Sequence, residues 1–271
     1  MNTLQLNLRP VSPEPAPCKV CGGASPLFGV LDFNRSCLEA QAPPLPLAGV
    51  PVYYRRCEAC GLIFTDAFDD WSQAEFEAHV YNDGYIQVDP DYAEARPVGM
   101  AQMIARIFGA SGATLRVLDY GGGNGRFAET LRGLGFASVT TYDPFSPAFR
   151  ARPEGRFDLV TCFETLEHMP DPQAGAADLA SFLADEALLW IGTLLQPSDI
   201  LRQRMGWWYI GPRNGHVTLF TRAALSHLWT PLGLKAMSAD DAKHVVFRSA
   251  PPAFARHIFR PEAQPAAQPA G

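Results

Sequence analysis

Two cysteine pairs are the first residues whose spacing suggests chemistry. Both have the form CxxCG, in which the glycine permits a turn that aims two thiolates at one metal ion. In a chain with no secretory signal this spacing favours metal ligation over disulfides, although an iron–sulfur cluster or a redox disulfide is an alternative. Four thiolates fill the tetrahedral shell of zinc, so the sequence predicts a closed, structural zinc site. Its ligands are Cys18, Cys21, Cys57 and Cys60.

A glycine-rich loop is the second such feature. The apolar run Leu115 to Leu118 ends at Asp119 and is followed by Gly121, Gly123 and Gly125, after which a helical pattern begins. Glycines at the carboxyl end of a parallel strand let a ligand approach the backbone, which predicts a nucleotide-type pocket. A carboxylate before the first glycine disfavours a pyrophosphate, and the Walker lysine is missing.

Asp143 ends the next predicted strand, 24 residues after Asp119. A carboxylate at this place suits hydrogen bonds from both hydroxyls of a ribose, a feature that dinucleotide-binding enzymes share. Few residues separate Asp143 from Phe157, where the following strand begins. The usual third strand and its helix are therefore expected to be abbreviated, and no adenine-contacting residue can be assigned.

The run from Phe157 to Pro172 begins as a buried strand and ends in a polar cluster. Two chemical roles are open for Glu164, Glu167 and His168. His168 could remove a proton from a substrate hydroxyl, or the three side chains could bind a divalent cation. The alternative is structural: Glu167 and His168 cap the next helix and brace the loop.

These motifs resemble those of class I S-adenosylmethionine (SAM) dependent methyltransferases. The glycine loop matches their DxGxGxG signature, and the run from Phe157 is similar to their FDxVxxxExLEHxPDP segment, which occurs in enzymes acting on sugars and on quinone precursors. The resemblance implies that the first carboxylate holds the amino-acid end of SAM while the glycines pack beneath the cofactor. The expected cofactor-binding residues are Asp119, Tyr120, Gly121, Gly122, Gly123, Asn124, Asp143, Pro144, Phe163 and Glu164.

Ubiquinone-biosynthesis O-methyltransferases carry a similar ExxEH run. There it implies a magnesium-type site, which in this chain would consist of Glu164, Glu167 and His168. The cysteine pairs are similar to zinc modules that precede the catalytic domain of sugar C-methyltransferases. Those enzymes are longer, so the choice between C- and O-methylation stays open.

A long segment follows the predicted strand over residues 186–193. It contains an aromatic cluster at residues 207–209 and then Arg213, Asn214 and His216, before Thr221 caps a helix. The pattern WxYxxPxxGHxxxFTxxxL resembles the matching segment of bacterial methyltransferases associated with glycans and antibiotic sugars. His216 is the preferred candidate base and Tyr209 a candidate for orienting the acceptor; the alternative is that the aromatic residues form the core of a lid.

Strands and helices alternate from residue 115 onward. This predicts an α/β, Rossmann-like fold with a mostly parallel sheet and helices on both faces, preceded by a small zinc-ribbon-like module. The expected domains are a flexible N-terminus (1–17), the zinc-binding module (18–68), a helical connector or lid (69–110), the methyltransferase domain (111–250) and a disordered C-terminal tail (251–271).

Composition narrows the function further. A net charge of −6 and a pI near 5.5 provide no general attraction to nucleic acid or anionic membranes. No signal peptide or membrane span is indicated, so a cytoplasmic location is expected. The favoured function is methyl transfer to a polar small molecule: a hydroxyl or carbon of a sugar or glycan precursor, such as a nucleotide-linked sugar. Alternatives are an RNA or protein methyltransferase that docks through the zinc module, and a non-catalytic zinc-dependent adaptor, against which the intact glycine loop argues.

Overall fold

The computed structural model describes residues 6–259. The strands are β1 (Ala16–Pro17), β2 (Ala24–Ser25), β3 (Leu27–Asp32), β4 (Pro51–Arg56), β5 (Ile63–Phe64), β6 (Arg116–Tyr120), β7 (Ser138–Tyr142), β8 (Phe157–Phe163), β9 (Leu183–Gly192), β10 (Thr218–Leu219), β11 (Lys235–Ser238) and β12 (Lys243–Phe247). The α-helices are α1 (Gln73–His79), α2 (Ala95–Phe108), α3 (Arg126–Gly133), α4 (Pro172–Ser181), α5 (Ile200–Gln203) and α6 (Arg222–Trp229). None of the helices in residues 6–259 is long and apolar enough to cross a bilayer.

A six-stranded sheet forms the centre of the molecule. Its order is β11-β12-β9-β8-β6-β7, with β7, β6, β8 and β9 parallel and β12 antiparallel to β9. The carboxyl ends of the four parallel strands therefore meet at one edge, where ligands bind in folds of this type. The predicted α/β, Rossmann-like fold class is confirmed.

Both faces of this sheet are covered, because its central strands carry apolar side chains on alternate faces. Leu159 and Leu188 pack against α2 and α3, whereas their neighbours Val160 and Leu189 pack against α4 and α6. This burial on both sides explains why β8 and β9 read as continuous apolar runs in the sequence.

The structure agrees with one expectation about the elements and differs from another. No strand lies between Tyr142 and Phe157 in the described chain, in agreement with an abbreviated third unit. β9 begins at Leu183, three residues before the expected start, and α6 ends at Trp229. A 3-10 turn over Thr230–Leu232 follows α6, and it ends at Gly233 in the left-handed conformation that glycine adopts readily.

The N-terminal cysteine region, which we call the cysteine module (residues 18–68), shares structure with the part of the chain that follows β9. Its antiparallel sheet has the order β10-β5-β4-β3, and β10 comes from the segment after β9. Cys18, Cys60 and Phe64 belong to the same buried cluster as residues of α4 and α6. The module is thus built into the fold, not appended by a linker.

The described parts of the two chain ends contact the rest of the fold. Within residues 6–17, Trp71 Nε1 donates to the carbonyl of Asn7 (2.8 Å), and Arg55 donates to the carbonyl of Ser12 (2.8 Å). Within the expected C-terminal tail, residues 253–259 form a 3-10 turn, and His257 Nε2 lies 2.9 Å from the carbonyl of Ile107. Residues 1–5 and 260–271 lie outside the described part.

Candidate active site

A cavity of about 690 Å³ lies at the carboxyl edge of the central sheet. The ends of β6, β7 and β8 form one side, and the connector between α1 and α2 covers it. All ten residues expected to bind the cofactor line this one cavity, as do His168 and His216. The strand-end motifs recognised separately in the sequence are therefore brought together.

The loop after β6 requires glycine at particular positions. Gly121 and Gly123 have φ angles of +73° and +55°, in the left-handed region that disfavours other residues. A Cβ on Gly121 would overlap the Thr165 side chain, and one on Gly122 would overlap the carboxylate of Asp119. The backbone of the loop thus borders the cavity, and it also packs tightly against the side chains of Asp119 and Thr165.

Two carboxylates lie behind this loop. Asp119 is buried, its Oδ2 has no hydrogen-bond partner among residues 6–259, and burial followed by the nearby charge of Asp143 raises its pKa to about 7. Asp143 accepts hydrogen bonds from the amides of Gly123 and Phe145, each at 2.8 Å, and burial raises its pKa. An unpartnered buried carboxylate is costly unless a cationic group comes to it, and the ammonium of SAM is such a group.

Two histidines in the lining of the same cavity face each other, with ring centroids 4.9 Å apart. His216 Nδ1 lies 2.7 Å from the carbonyl of Tyr209. Because a carbonyl only accepts, Nδ1 carries the proton of the neutral ring, which leaves the lone pair on Nε2. Burial lowers the pKa of His216 to about 4 and also lowers that of His168, whose Nδ1 is 3.1 Å from the Tyr81 hydroxyl.

Two glutamates continue this polar region behind the histidines. Glu164 lines the cavity and has a φ of +46°, an uncommon conformation for a residue with a side chain. Glu167 is fully buried, and burial together with the charge of Glu164 raises its pKa to about 8. Tyr209 donates to Glu167, and its hydroxyl is 3.3 Å from Glu164.

Tyr209, expected to orient the acceptor, does not belong to the described residues that line the cavity. Its side chain is buried and its hydroxyl is directed at the glutamates. Its neighbours differ, since Trp207 is buried whereas Trp208 is 43% exposed. Trp207 and Tyr209 are thus packed in the interior, and a role of Tyr209 in orienting the acceptor stays a prediction.

The donor set does not fit the magnesium-type site suggested by the ExxEH run. Of the described residues, the group whose donor atoms converge here is Glu167, His168 and His216, within 4.8 Å of one another, and it does not include Glu164. Magnesium prefers oxygen ligands in octahedral geometry, whereas this group offers two imidazoles. We therefore derive no catalytic step through magnesium.

The connector supplies cavity residues that sequence reasoning did not assign individually. Tyr81, Tyr85 and Tyr92 form an aromatic wall, and Arg96 makes a bidentate ion pair with Asp89 (2.6 and 2.8 Å). The aromatic composition of this loop had indicated only that it could cover a pocket. Its side chains add polar and stacking surfaces suited to a ring-shaped acceptor.

The four paired cysteines form a compact cluster outside the cavity. Sγ atoms of Cys18 and Cys60 are 3.6 Å apart, and those of Cys21 and Cys57 are 3.4 Å apart. A tetrahedral zinc with bonds of about 2.3 Å requires sulfur separations of about 3.8 Å. The glycine after each pair, Gly22 and Gly61, has a positive φ (+73° and +77°), as the expected turn requires.

Comparison with known proteins agrees with this geometry. The family model described as a methyltransferase domain matches residues 92–239, more than half of the chain. The chain therefore belongs to this methyltransferase family.

Its curated relatives include ubiquinone biosynthesis O-methyltransferases. The protein of Xanthomonas axonopodis pv. citri is 33% identical over 122 residues, covering 36% of this chain and 49% of that protein. That of Aromatoleum aromaticum is 31% identical over 103 residues, covering 29% and 44%. The chain thus spans about half the length of the curated relatives it matches.

Among solved structures, an O-methyltransferase family protein from Burkholderia thailandensis superposes with a TM-score of 0.50 at 15% identity, covering 66% of this chain and 64% of that one. At this identity the likeness concerns the fold alone.

Proposed function

We propose that this protein transfers the methyl group of SAM to a polar small molecule. One observation carries the proposal: a single cavity is lined by Asp119, a buried carboxylate whose Oδ2 has no partner among the described residues, and by two histidines with lowered pKa values, His168 and His216. The carboxylate suits the cationic amino acid of SAM, and the histidines suit proton removal from an acceptor. Membership of the methyltransferase family supports the same assignment.

The cofactor half uses residues at the ends of β6 and β7. Asp119 would pair with the ammonium of SAM, the glycines after it would pack beneath the cofactor, and Asp143 would accept hydrogen bonds from the ribose hydroxyls. SAM supplies a methyl group on a positively charged sulfur. The chain contributes position and electrostatic complementarity, which hold the methyl group in line with the acceptor atom.

The acceptor half uses His216 as the base. Its Nδ1 is fixed by the carbonyl of Tyr209, and burial keeps the ring neutral, so Nε2 is available to take a proton. As the acceptor oxygen bonds to the methyl carbon, the carbon–sulfur bond breaks and the sulfonium becomes a neutral thioether. The proton of the acceptor hydroxyl passes to His216. His168 and Glu164 border the same space and would orient the acceptor.

For the acceptor we propose a sugar or glycan precursor, with a nucleotide-linked sugar as the first choice. The aromatic wall of Tyr81, Tyr85 and Tyr92 and the Asp89–Arg96 ion pair support a polar ring. A phenolic ring is the second candidate, because relatives are named as ubiquinone biosynthesis O-methyltransferases. Both classes present a hydroxyl that a neutral imidazole could deprotonate.

Calorimetric titration with S-adenosylhomocysteine tests the cofactor half, and transfer of a labelled methyl group from SAM to sugar and phenol panels tests the acceptor half. We expect binding, turnover with one panel, and a loss of turnover of about 100-fold or more in His216→Ala. His79→Ala, a histidine outside the cavity lining, is the matched control and should keep full activity. No binding to the wild type would favour a non-catalytic adaptor.

We also propose that Cys18, Cys21, Cys57 and Cys60 bind one structural zinc ion. The sulfur separations and the two left-handed glycines support this, and the four thiolates leave no open coordination position. Thiolate ligands require a reducing compartment, which is consistent with a cytoplasmic protein. In this proposal residues 18–68 form the zinc module, 69–110 the lid and 111–250 the methyl-transferring domain.

A further inference from the structure

The candidate base lies in a segment with little regular structure of its own. Between Tyr209 and Thr221 the chain forms only a 3-10 turn at Pro212–Asn214 and the two residues of β10. Nevertheless most of this segment is buried. Buried backbone groups need partners, so the position of His216 depends on the elements that provide them.

The cysteine module provides several of these partners. Tyr54 on β4 is completely buried, and its hydroxyl donates to the backbone carbonyl of His216 itself at 2.9 Å. The next residue is also held, because the amide of Thr65 donates to the carbonyl of Val217 at 3.0 Å. Pairing between β5 and β10 continues the connection.

Asn214 ties the same segment to two further regions. Its Oδ1 accepts from the amide of Cys37 in the module at 2.8 Å, and its Nδ2 donates to the carbonyl of Val88 in the connector at 3.2 Å. The amide of Arg213 beside it donates to the carbonyl of Arg35 at 3.1 Å. One buried side chain thus joins the module, the lid and the His216 segment.

The connection extends to the cysteine turn. The Thr221 hydroxyl donates to the carbonyl of Cys60 at 2.6 Å, and the amide of Cys57 donates to the carbonyl of Leu62 at 2.9 Å, just before β5. A continuous path of hydrogen bonds therefore runs from the cysteine cluster through β5 and β10 to His216. Asp119 and Asp143 are placed differently, by the central sheet.

We propose that the cysteine module positions the catalytic His216, and that Tyr54 and Asn214 are the positioning residues through which it acts. The inference rests on the proposed function, since it assigns these residues to the same reaction. It gives the module a role in turnover although its cysteines lie outside the cavity lining. Tyr54 and Asn214 act through the backbone of the His216 segment.

The test compares Tyr54→Phe with Tyr53→Phe. The two tyrosines are neighbours on β4, but Tyr53 points to the opposite face of the strand and is only half-buried. Loss of one buried hydrogen bond to His216 should lower kcat by about three- to tenfold in Tyr54→Phe. Affinity for S-adenosylhomocysteine should stay within about twofold of the wild type, and Tyr53→Phe should match the wild type in both.

A merely structural role would lower cofactor affinity and turnover together, which would overturn the proposal, as would an unchanged kcat in Tyr54→Phe. Hydrogen exchange adds a readout independent of turnover: amides of residues 209–219 should exchange faster in Tyr54→Phe, while those of residues 119–125 should not. If Tyr54→Phe does not fold, Asn214→Ser decides by the same measurements.

Wild-type protein that neither binds S-adenosylhomocysteine nor transfers a methyl group would reject the proposed function itself. If the wild type is active and Tyr54→Phe has the same kcat, only the positioning role is rejected.

Discussion

Two parts of the cavity lining, which we call the cofactor end and the acceptor end after the roles proposed above, are built in contrasting ways. At the cofactor end, Asp119 is the last but one residue of β6 and Asp143 follows β7, so two adjacent parallel strands place both carboxylates. At the acceptor end, His216 depends on hydrogen bonds from the cysteine module and on Asn214 contacts with the lid. The central sheet thus places the two carboxylates proposed to bind the cofactor, whereas His216 is placed by segments added around the sheet.

The largest expected effect is a loss of stability on removal of the zinc ion that we propose, and it tests the contrast between the two ends. Cys60→Ser should lose the zinc and several kcal/mol of the free energy of unfolding, because metal binding in small sites contributes on the order of 10 kcal/mol to folding. The loss should reach beyond the module, since Cys60 shares a buried cluster with α4 and α6. Elemental analysis should give about one zinc per wild-type chain, and thermal unfolding measures the loss of stability.

Cys37→Ser provides the control for that experiment. Cys37 lies in the same module but outside the four-cysteine cluster, so its variant should keep the zinc. Wild-type protein that is folded and contains no metal would contradict the zinc assignment. If the zinc-free variant shows unchanged hydrogen exchange at residues 209–219, the cysteine cluster and the His216 segment are less connected than the hydrogen bonds between them imply.

The next effect concerns the cofactor end alone. Asp119→Asn should weaken SAM binding by about 100-fold or more, because breaking a buried charge pair costs on the order of 3 kcal/mol. Asp158→Asn, which removes an ion pair with Arg116 at the other end of the strands, should leave SAM binding unchanged. His216→Ala should also bind SAM normally. Equal affinity in the wild type and Asp119→Asn would remove Asp119 from the cofactor site.

The same contrast explains what the sequence could predict. The cofactor end can be predicted because its residues lie at the ends of strands or directly after them, and all ten predicted residues line the cavity. Tyr54 and Cys37 were not recognised, because their bonds to the His216 segment join residues more than 160 positions apart and involve backbone atoms, which leave no pattern in a sequence. Tyr209 was recognised as important, but only the fold shows its hydroxyl directed at Glu167 rather than into the cavity.

A smaller effect tests the packing beneath the cofactor. Gly121→Ala should destabilise the protein by about 2 kcal/mol, because the residue has a φ of +73° and a Cβ would overlap the Thr165 side chain. Gly133→Ala, at the end of α3 with open space around it, should instead raise stability by up to about 1 kcal/mol. Chemical denaturation of the two variants measures the difference. Similar stabilities would mean that the loop can relax away from Thr165.

The smallest effect is a difference in pH dependence between the two ends. Burial and then the nearby charge of Asp143 raise the pKa of Asp119 to about 7, so protonation of this carboxyl group competes with SAM binding near neutral pH. The ammonium of SAM favours the charged carboxylate, which means that binding should release this proton. SAM affinity should therefore fall as pH decreases, by about tenfold from pH 8 to pH 6 for a group of this pKa.

His216 provides the opposite case within the same cavity. Its pKa of about 4 keeps it neutral from pH 6 to pH 8, so kcat at saturating SAM should not fall through protonation of this residue over that range. Titrations of SAM at pH 6 and pH 8, in buffers of different ionisation enthalpy, measure affinity and proton release together. The dependence should vanish in Asp119→Asn. If the pH dependence persists in Asp119→Asn, another group loses its proton when SAM binds. The assignment of the SAM ammonium to Asp119 then fails.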